Sequence, residues 1–224
     1  MNIKPVPPLQ NGDRLTQAEF HRRYEQYPEN IKAELIGGIV YMASPLRLPH
    51  GEHHLELSGV FWVYKGATPG VRATDNTTAI LGDQSEPQPD LTLRLLPEYG
   101  GQSISSPEQY MVGGPELVSE IAHSSVAIDL YKKREDYQRA GVQEYLVVCL
   151  EEQEIQWFDF ASGGVIEANR QGIHRSRVFP GLWLDGAALF ALDSIRLMAV
   201  IQEGIASREH AAFVKRLQKL CKKT

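Results

Sequence analysis

Hydrophobic positions along the chain follow two periods, one near 3.6 residues and one near 2, interrupted by short runs that are apolar throughout. Thr16 stands three residues ahead of Glu19, the capping-box spacing, and Phe20, Tyr24 and Tyr27 follow at helical intervals, which predicts a helix over residues 17–27. Residues 33–36 and 39–42 are β-prone runs joined by Gly37-Gly38, the pattern of a two-residue hairpin. Over residues 50–65 the apolar positions Leu55, Val60, Phe61 and Val63 alternate with polar ones, predicting a helix closed by Gly66. Short strands are expected at 71–73, 77–81 and 91–95, with a loop rich in Gly, Ser and Pro over 97–107. Residues 116–122 are mostly apolar around Leu117, Val118 and Ile121, as in a strand buried on both faces. Ser124 and Ser125 are placed to cap a helix over 126–140 that Gly141 ends. Residues 144–149 read as a second buried strand pairing with 154–160, followed by late strands near 173–178 and a closing helix over 194–219.

Strands that come both as hairpins and separated by helices predict an α/β fold with a central mixed β-sheet flanked by helices. No repeat, low-complexity tract or linker divides the chain. The simplest partition is an extended Pro-rich lead over 1–14 and a single domain over 15–224, with an N-terminal helical extension and a C-terminal helix. A hydrophobic content of 42% over 224 residues fills a substantial core and excludes disorder of the whole chain. The formal charge of −5 excludes the global positive field of a nucleic-acid coat protein, so any such contact must be local. Cys149 and Cys221 are too few for a disulfide framework or a Cys-based zinc site, and reduced thiols in a cytoplasm are expected. The N-terminal stretch lacks the apolar run of a signal peptide, and no segment has the roughly 18 consecutive apolar residues of a bilayer-spanning helix. A soluble, cytoplasmic protein without membrane contact is the expectation.

The most informative segment is Glu86-Pro87-Gln88-Pro89-Asp90, because Pro89 stiffens the chain just before Asp90 leads into a strand. Glu120 lies inside the apolar strand, where an unpaired carboxylate would be costly. Two carboxylates on adjacent strands, with the Ile121 carbonyl beside them, form an all-oxygen site suited to magnesium or manganese. Taken singly, each residue also reads as a salt-bridged Glu or a turn-starting Asp. On a wheel of roughly 100° per residue with Leu130 at zero, the apolar face of the following helix spans roughly 280° to 60°. Lys133 falls inside it near 300°, whereas Lys132, near 200°, points outward. Lys133 could therefore reach the Glu120 carboxylate, or else pair with Asp129 four residues earlier on the surface.

Other residues carry less. His50, His53 and His54 read as a surface cluster on a helix, short of zinc ligands, with His50 able to face a cleft and touch a phosphate; His123 is expected to bond locally. Lys215, Arg216, Lys219, Lys222 and Lys223 form a solvated face or a backbone-binding tail. Trp62, Trp157 and Trp183 are expected in the core. The paired glycines lack P-loop spacing, so no nucleotide cofactor site is expected.

The Glu34 hairpin, Pro89-Asp90, the strand 117–122 with Glu120, Asp129 to Lys133, and Tyr137-Gln138-Arg139-Ala140-Gly141-Val142-Gln143-Glu144-Tyr145 together resemble the Uma-two-type family, endonucleases of the restriction-endonuclease-like PD-(D/E)-x-K superfamily. The resemblance runs from about Leu15 to Trp183. It implies that Asp90 and Glu120 ligate the metal, that Glu34 is an additional acidic residue of the site, and that Lys133 is the catalytic lysine; with the Ile121 carbonyl, Glu34 is expected as a further ligand. One position departs from the superfamily pattern: Ala122 stands where a lysine is expected two residues after the strand glutamate. The reading is a magnesium- or manganese-dependent endonuclease cleaving nucleic acid, DNA by expectation, as a homodimer. The alternatives are a non-catalytic binding or assembly module on the same fold, or a small phosphoester hydrolase.

Overall fold

The computed structural model describes residues 6–28, 31–123 and 126–222. Helix α1 (Gln17–Tyr24) leads to a hairpin of β1 (Ala33–Ile36) and β2 (Ile39–Met42), and the long helix α2 (Leu48–Ala67) follows. Next come β3 (Val71–Asp75), β4 (Ala79–Ile80), β5 (Leu91–Leu95), a 3-10 turn, β6 (Ile104–Ser105), β7 (Met111–Val112) and β8 (Leu117–Ala122). A π-helical segment, Ile128–Lys133, runs into α3 (Arg134–Arg139), ahead of β9 (Glu144–Cys149), β10 (Glu154–Asp159) and β11 (Gly164–Val165). The chain closes with β12 (Ile173–Arg175), β13 (Trp183–Asp185), α4 (Gly186–Phe190), α5 (Ser194–Ile205) and α6 (Arg208–Cys221).

Six strands form the central sheet in the order β11-β10-β9-β8-β5-β3. Only β8 and β9 run parallel, joined by the crossover that contains the π-helix and α3; the other pairs are antiparallel. Every residue of β8 and β9 is buried because both faces are covered, which is why neither strand alternates in sequence. One face sends Leu93, Leu117, Ile121, Leu146 and Val148 into a core closed by α2, α4, α5 and α6. The other sends Val118, Ala122, Tyr145 and Val147 against Tyr137 and Val142 of the crossover. A third, smaller core holds Leu9, Phe20, Ala33, Leu35 and Val40.

The hairpin forms as its glycines require, Gly37 and Gly38 both at positive φ. Thr16 caps α1, its Oγ1 accepting from the Glu19 N–H at 3.3 Å, but the helix ends at Tyr24 rather than Tyr27. Ahead of α1, Leu9 is buried, and the Gly12 and Leu15 N–H groups donate to the Val40 and Gly38 carbonyls of the hairpin. α2 starts at Leu48, two residues ahead of the expected start, because Pro49 fits a first turn that needs no N–H. Leu55 and Trp62 both point outward, 71% and 68% exposed, correcting the core placement of Trp62. They are seven residues apart and share a stripe opposite the buried Leu57, Val60, Phe61 and Tyr64. Trp157 is buried and Trp183 half-buried. Strand β13 pairs with β12 where only one late strand region was anticipated. The helix expected over 194–219 is two, because the Ser207 side chain caps a new helix by accepting from the His210 N–H. Ser124 and Ser125, the expected caps, lie outside the described residues, as do Lys223 and the first residues of the lead.

His210 anchors α6 and is buried. Its Nε2 lies 2.9 Å from the Thr68 Oγ1, which already donates to the Tyr64 carbonyl and so accepts from the imidazole. Burial holds the His210 pKa below its ordinary value, partly countered by the Ile205 backbone. The unfolded chain therefore binds the proton more readily. Stability tied to neutral His210 is present above the unfolded value of about 6.5 and is lost as pH falls through that region toward the folded pKa. Denaturant unfolding at pH 7.5 and 5.5 should show a larger loss for the wild type than for His210→Gln.

Candidate active site

Asp90 stands immediately before β5, whose ladder with β8 ends at Leu91 opposite Ser119. The Ile121 N–H, pointing past that end, finds no strand partner and donates instead to Asp90 Oδ2 at 2.7 Å. His50 Nε2 lies 3.2 Å from the same oxygen, and His54 Nε2 lies 3.1 Å from the Asp90 carbonyl. Glu120 projects from β8 to the opposite face from Ile121, beneath the crossover. Its Oε1 accepts from Lys133 Nζ at 3.0 Å and from the Tyr137 hydroxyl at 2.7 Å. Lys133 Nζ also lies 3.1 Å from Glu34 Oε2 and 3.6 Å from Asp129 Oδ1. Glu34, Asp90, Glu120, Ile121 and Lys133 line one cavity of about 910 Å3, with His50 and Asp129 in its wall.

The structure thus brings together every site residue named from the sequence. It also changes the Lys133–Asp129 pair, which was read as a surface alternative to a Glu120 contact. Both contacts are made at once, and Asp129 is buried at 2% exposure. The segment expected as a regular α-helix over 126–140 has a π-helical first half, whose wider turn departs from the 100° wheel. Lys132 is exposed, as the wheel placed it. Ala122, at the usual lysine position, is fully buried against the crossover, and Lys133 arrives from above to occupy the space beside Glu120.

Charge in this cavity is unbalanced. Burial, joined by the Asp90, Asp129 and Glu34 charges, pushes the Glu120 carboxyl well above the usual carboxylate range despite Lys133. Burial alone would depress the Lys133 ammonium, but the Glu120, Glu34, Asp129 and Asp90 carboxylates hold it well above its ordinary value. Burial also raises Asp90, yet the His50 bond and charge, the Ile121 N–H and Lys133 bring it below the ordinary value. One lysine therefore serves four carboxylates in a low-dielectric space.

Several supporting residues carried no signal in the sequence pattern. Glu86, 1% exposed, accepts from Gln17 Nε2 and pairs with His21 Nδ1, both at 2.8 Å, so α1 pins the segment that delivers Asp90. The Gln88 N–H donates to Glu34 Oε1 at 2.6 Å, tying the hairpin to the same segment. These contacts span more than 50 residues each, and no local periodicity encodes them. His50 is buried against Asp90 and faces the cavity, as its place at the helix start allowed, rather than sharing a surface cluster with His53 and His54, because α2 enters over the cavity. His123 lies 3.9 Å from Glu151. Lys215, Arg216 and Lys219 are exposed on α6 and do not line the cavity.

Fold and site together define a nuclease-like protein built on the restriction-endonuclease-like mixed sheet. The chain belongs to the Uma2 family, described as "Putative restriction endonuclease", whose model matches residues 18–187. No curated protein matches the chain. Among solved structures, the crystal structure of a putative nuclease belonging to DUF820 from Anabaena variabilis ATCC 29413 is similar over 76% of this chain and 97% of that one. Its identity is 14% and its TM-score 0.62, a likeness of fold. Among the described residues, no helix is long and apolar enough to cross a membrane.

Proposed function

We propose that this protein is a magnesium- or manganese-dependent endonuclease that hydrolyses phosphodiester bonds in DNA. The observation that carries the reading is the convergence of Asp90, Glu120 and Ile121 on a cavity in which Lys133 Nζ sits 3.0 Å from Glu120. The donor set suits a hard divalent cation. Its carboxylates exceed its cations, and the N–H and carbonyl of one strand residue share a side, so the Ile121 carbonyl faces Asp90 as its N–H does. Among the described residues no three His, Cys, Asp or Glu side chains make a ready metal cage. Two carboxylates, one carbonyl and retained waters match the habit of magnesium instead. Asp90, Glu120 and the Ile121 carbonyl would hold the ion. When bound, it would lower the pKa of a water and neutralise charge on the scissile phosphate.

The chain's own groups do the rest. Lys133 orients the attacking water or stabilises the charge developing on the phosphate. Glu34, with one oxygen on the Gln88 N–H and the other on Lys133, positions that lysine and supplies acidic charge to the site. Tyr137 fixes the Glu120 rotamer through its hydroxyl. Lys32 and Arg47 in the cavity wall are placed to meet backbone phosphates locally, which accommodates the acidic net charge.

Nicking of supercoiled plasmid and of single-stranded DNA and RNA across magnesium, manganese and calcium tests the reading. Cleavage of DNA that requires magnesium or manganese supports it. Absence of cleavage on every substrate and metal would favour a binding module on the same fold, and preference for RNA or for small phosphoesters would replace the substrate.

A further inference from the structure

The outer face of α2 carries large apolar side chains that nothing among the described residues covers. Leu48, Leu55 and Trp62, exposed by 75%, 71% and 68%, recur every seven residues, which on a helix is one nearly straight stripe. Beside its midpoint stands Ile195 of α5, 86% exposed, placed there by the Ser194 hydroxyl donating to Glu56 Oε1 at 2.6 Å. The Lys65 ammonium lies over Trp62, 3.8 Å from the ring centroid. Monomeric proteins rarely expose contiguous apolar patches beyond a few hundred Å2.

The order of residues in the stripe says what would cover it. Counted outward from Leu55 in either direction, a glycine stands four residues away, Gly51 or Gly59, and a large apolar residue seven away, Leu48 or Trp62. A stripe that reads the same in both directions complements a reversed copy of itself. With two such helices antiparallel, Leu55 meets Leu55 on the twofold axis. Leu48 of each copy meets Trp62 of the other, and Gly51 meets Gly59. The glycines permit close approach: a side chain at Gly51 would meet nothing, and one at Gly59 only the tip of Met198 at 3.9 Å. Helix pairs pack with axes about 8–10 Å apart, and from Leu48 to Trp62 the contact would run about 21 Å. Three stripe residues and Ile195 offer on the order of 500 Å2 of apolar surface per copy, enough for the core of a standard interface of about 800 Å2 per partner.

We propose that the outer face of α2, with Ile195, is the twofold interface of a homodimer in which α2 pairs antiparallel with itself about Leu55. This goes beyond the nuclease reading and does not depend on it, since the interface residues face away from Asp90, Glu120 and Lys133. Dimerisation can be measured without metal or nucleic acid.

Sedimentation velocity over 1–100 µM compares wild type with Leu55→Glu, which places two carboxylates together on the axis. The wild type should sediment as a dimer and Leu55→Glu as a monomer, with association weakened at least a hundredfold. In a Cys221→Ser background, Leu55→Cys should form a covalent dimer under oxidised glutathione, because a residue on a twofold axis meets its own copy. Lys132→Cys, on the far side of the fold, should not. Wild type that is monomeric at 100 µM would overturn the proposal. So would a dimer that survives Leu55→Glu, or one in which Leu55→Cys fails to cross-link.

Discussion

Replacing Lys133 with alanine should destabilise the protein by about 3–5 kcal/mol and lower any nuclease turnover by on the order of a hundredfold or more. The stability effect follows from burial. Lys133 is 7% exposed and is the cation shared by Glu34, Glu120 and Asp129, so its removal leaves the buried Glu120 carboxylate without its cation. A surface i,i+4 pair with Asp129 would instead cost at most about 0.5 kcal/mol. Urea unfolding separates the two magnitudes. Lys132→Ala, one residue earlier and exposed, is the matched control and should stay within about 0.5 kcal/mol of wild type. The double variant Lys133→Ala/Glu120→Gln should be more stable than Lys133→Ala alone, because it removes the charge that the first change stranded. A double variant less stable than the single one would contradict the shared-cation account.

Glu120→Gln should show the opposite pairing of effects: activity abolished, stability kept or raised. Burial and three neighbouring acids make charged Glu120 an unfavourable component of the fold, and glutamine keeps the side-chain shape and an acceptor for the Tyr137 hydroxyl. Lys133 retains Glu34 and Asp129 as partners. A residue whose neutralisation stabilises the protein while removing its activity is held for function rather than for packing. Asp90→Asn should likewise abolish metal-dependent cleavage and fold normally, since an amide oxygen can still accept from the Ile121 N–H. Plasmid nicking and thermal unfolding of the two variants, measured in parallel, check both halves.

The legible parts of the sequence were those set by local rules. Glu120 stood out because a carboxylate inside the run from Leu117 to Ala122 demands compensation, and the helical wheel turned Lys133 inward before any contact was known. The hairpin was legible because two adjacent glycines at positive φ serve few other structures. What escaped was long-range or depended on the choice of face. Nothing local couples Gln17 and His21 to Glu86, or Gln88 to Glu34, although these contacts aim Asp90. His50 read either as one of three surface imidazoles or as facing a cleft, and only its contact with Asp90, 40 residues away, decides between them. Trp62 was expected in the core, while the helix buries the face opposite it. The π-helical turn that brings Asp129 inward has no periodic signature at 100° per residue.

A crystal structure of the protein soaked with manganese, phased on the manganese anomalous signal, tests the central claim most directly. The account predicts a peak between the Asp90 and Glu120 carboxylates and the Ile121 carbonyl, at oxygen distances near 2.1–2.2 Å, with Lys133 beside it and the peak lost in Asp90→Asn. No peak in that cavity, or manganese bound only elsewhere on the molecule, would contradict it.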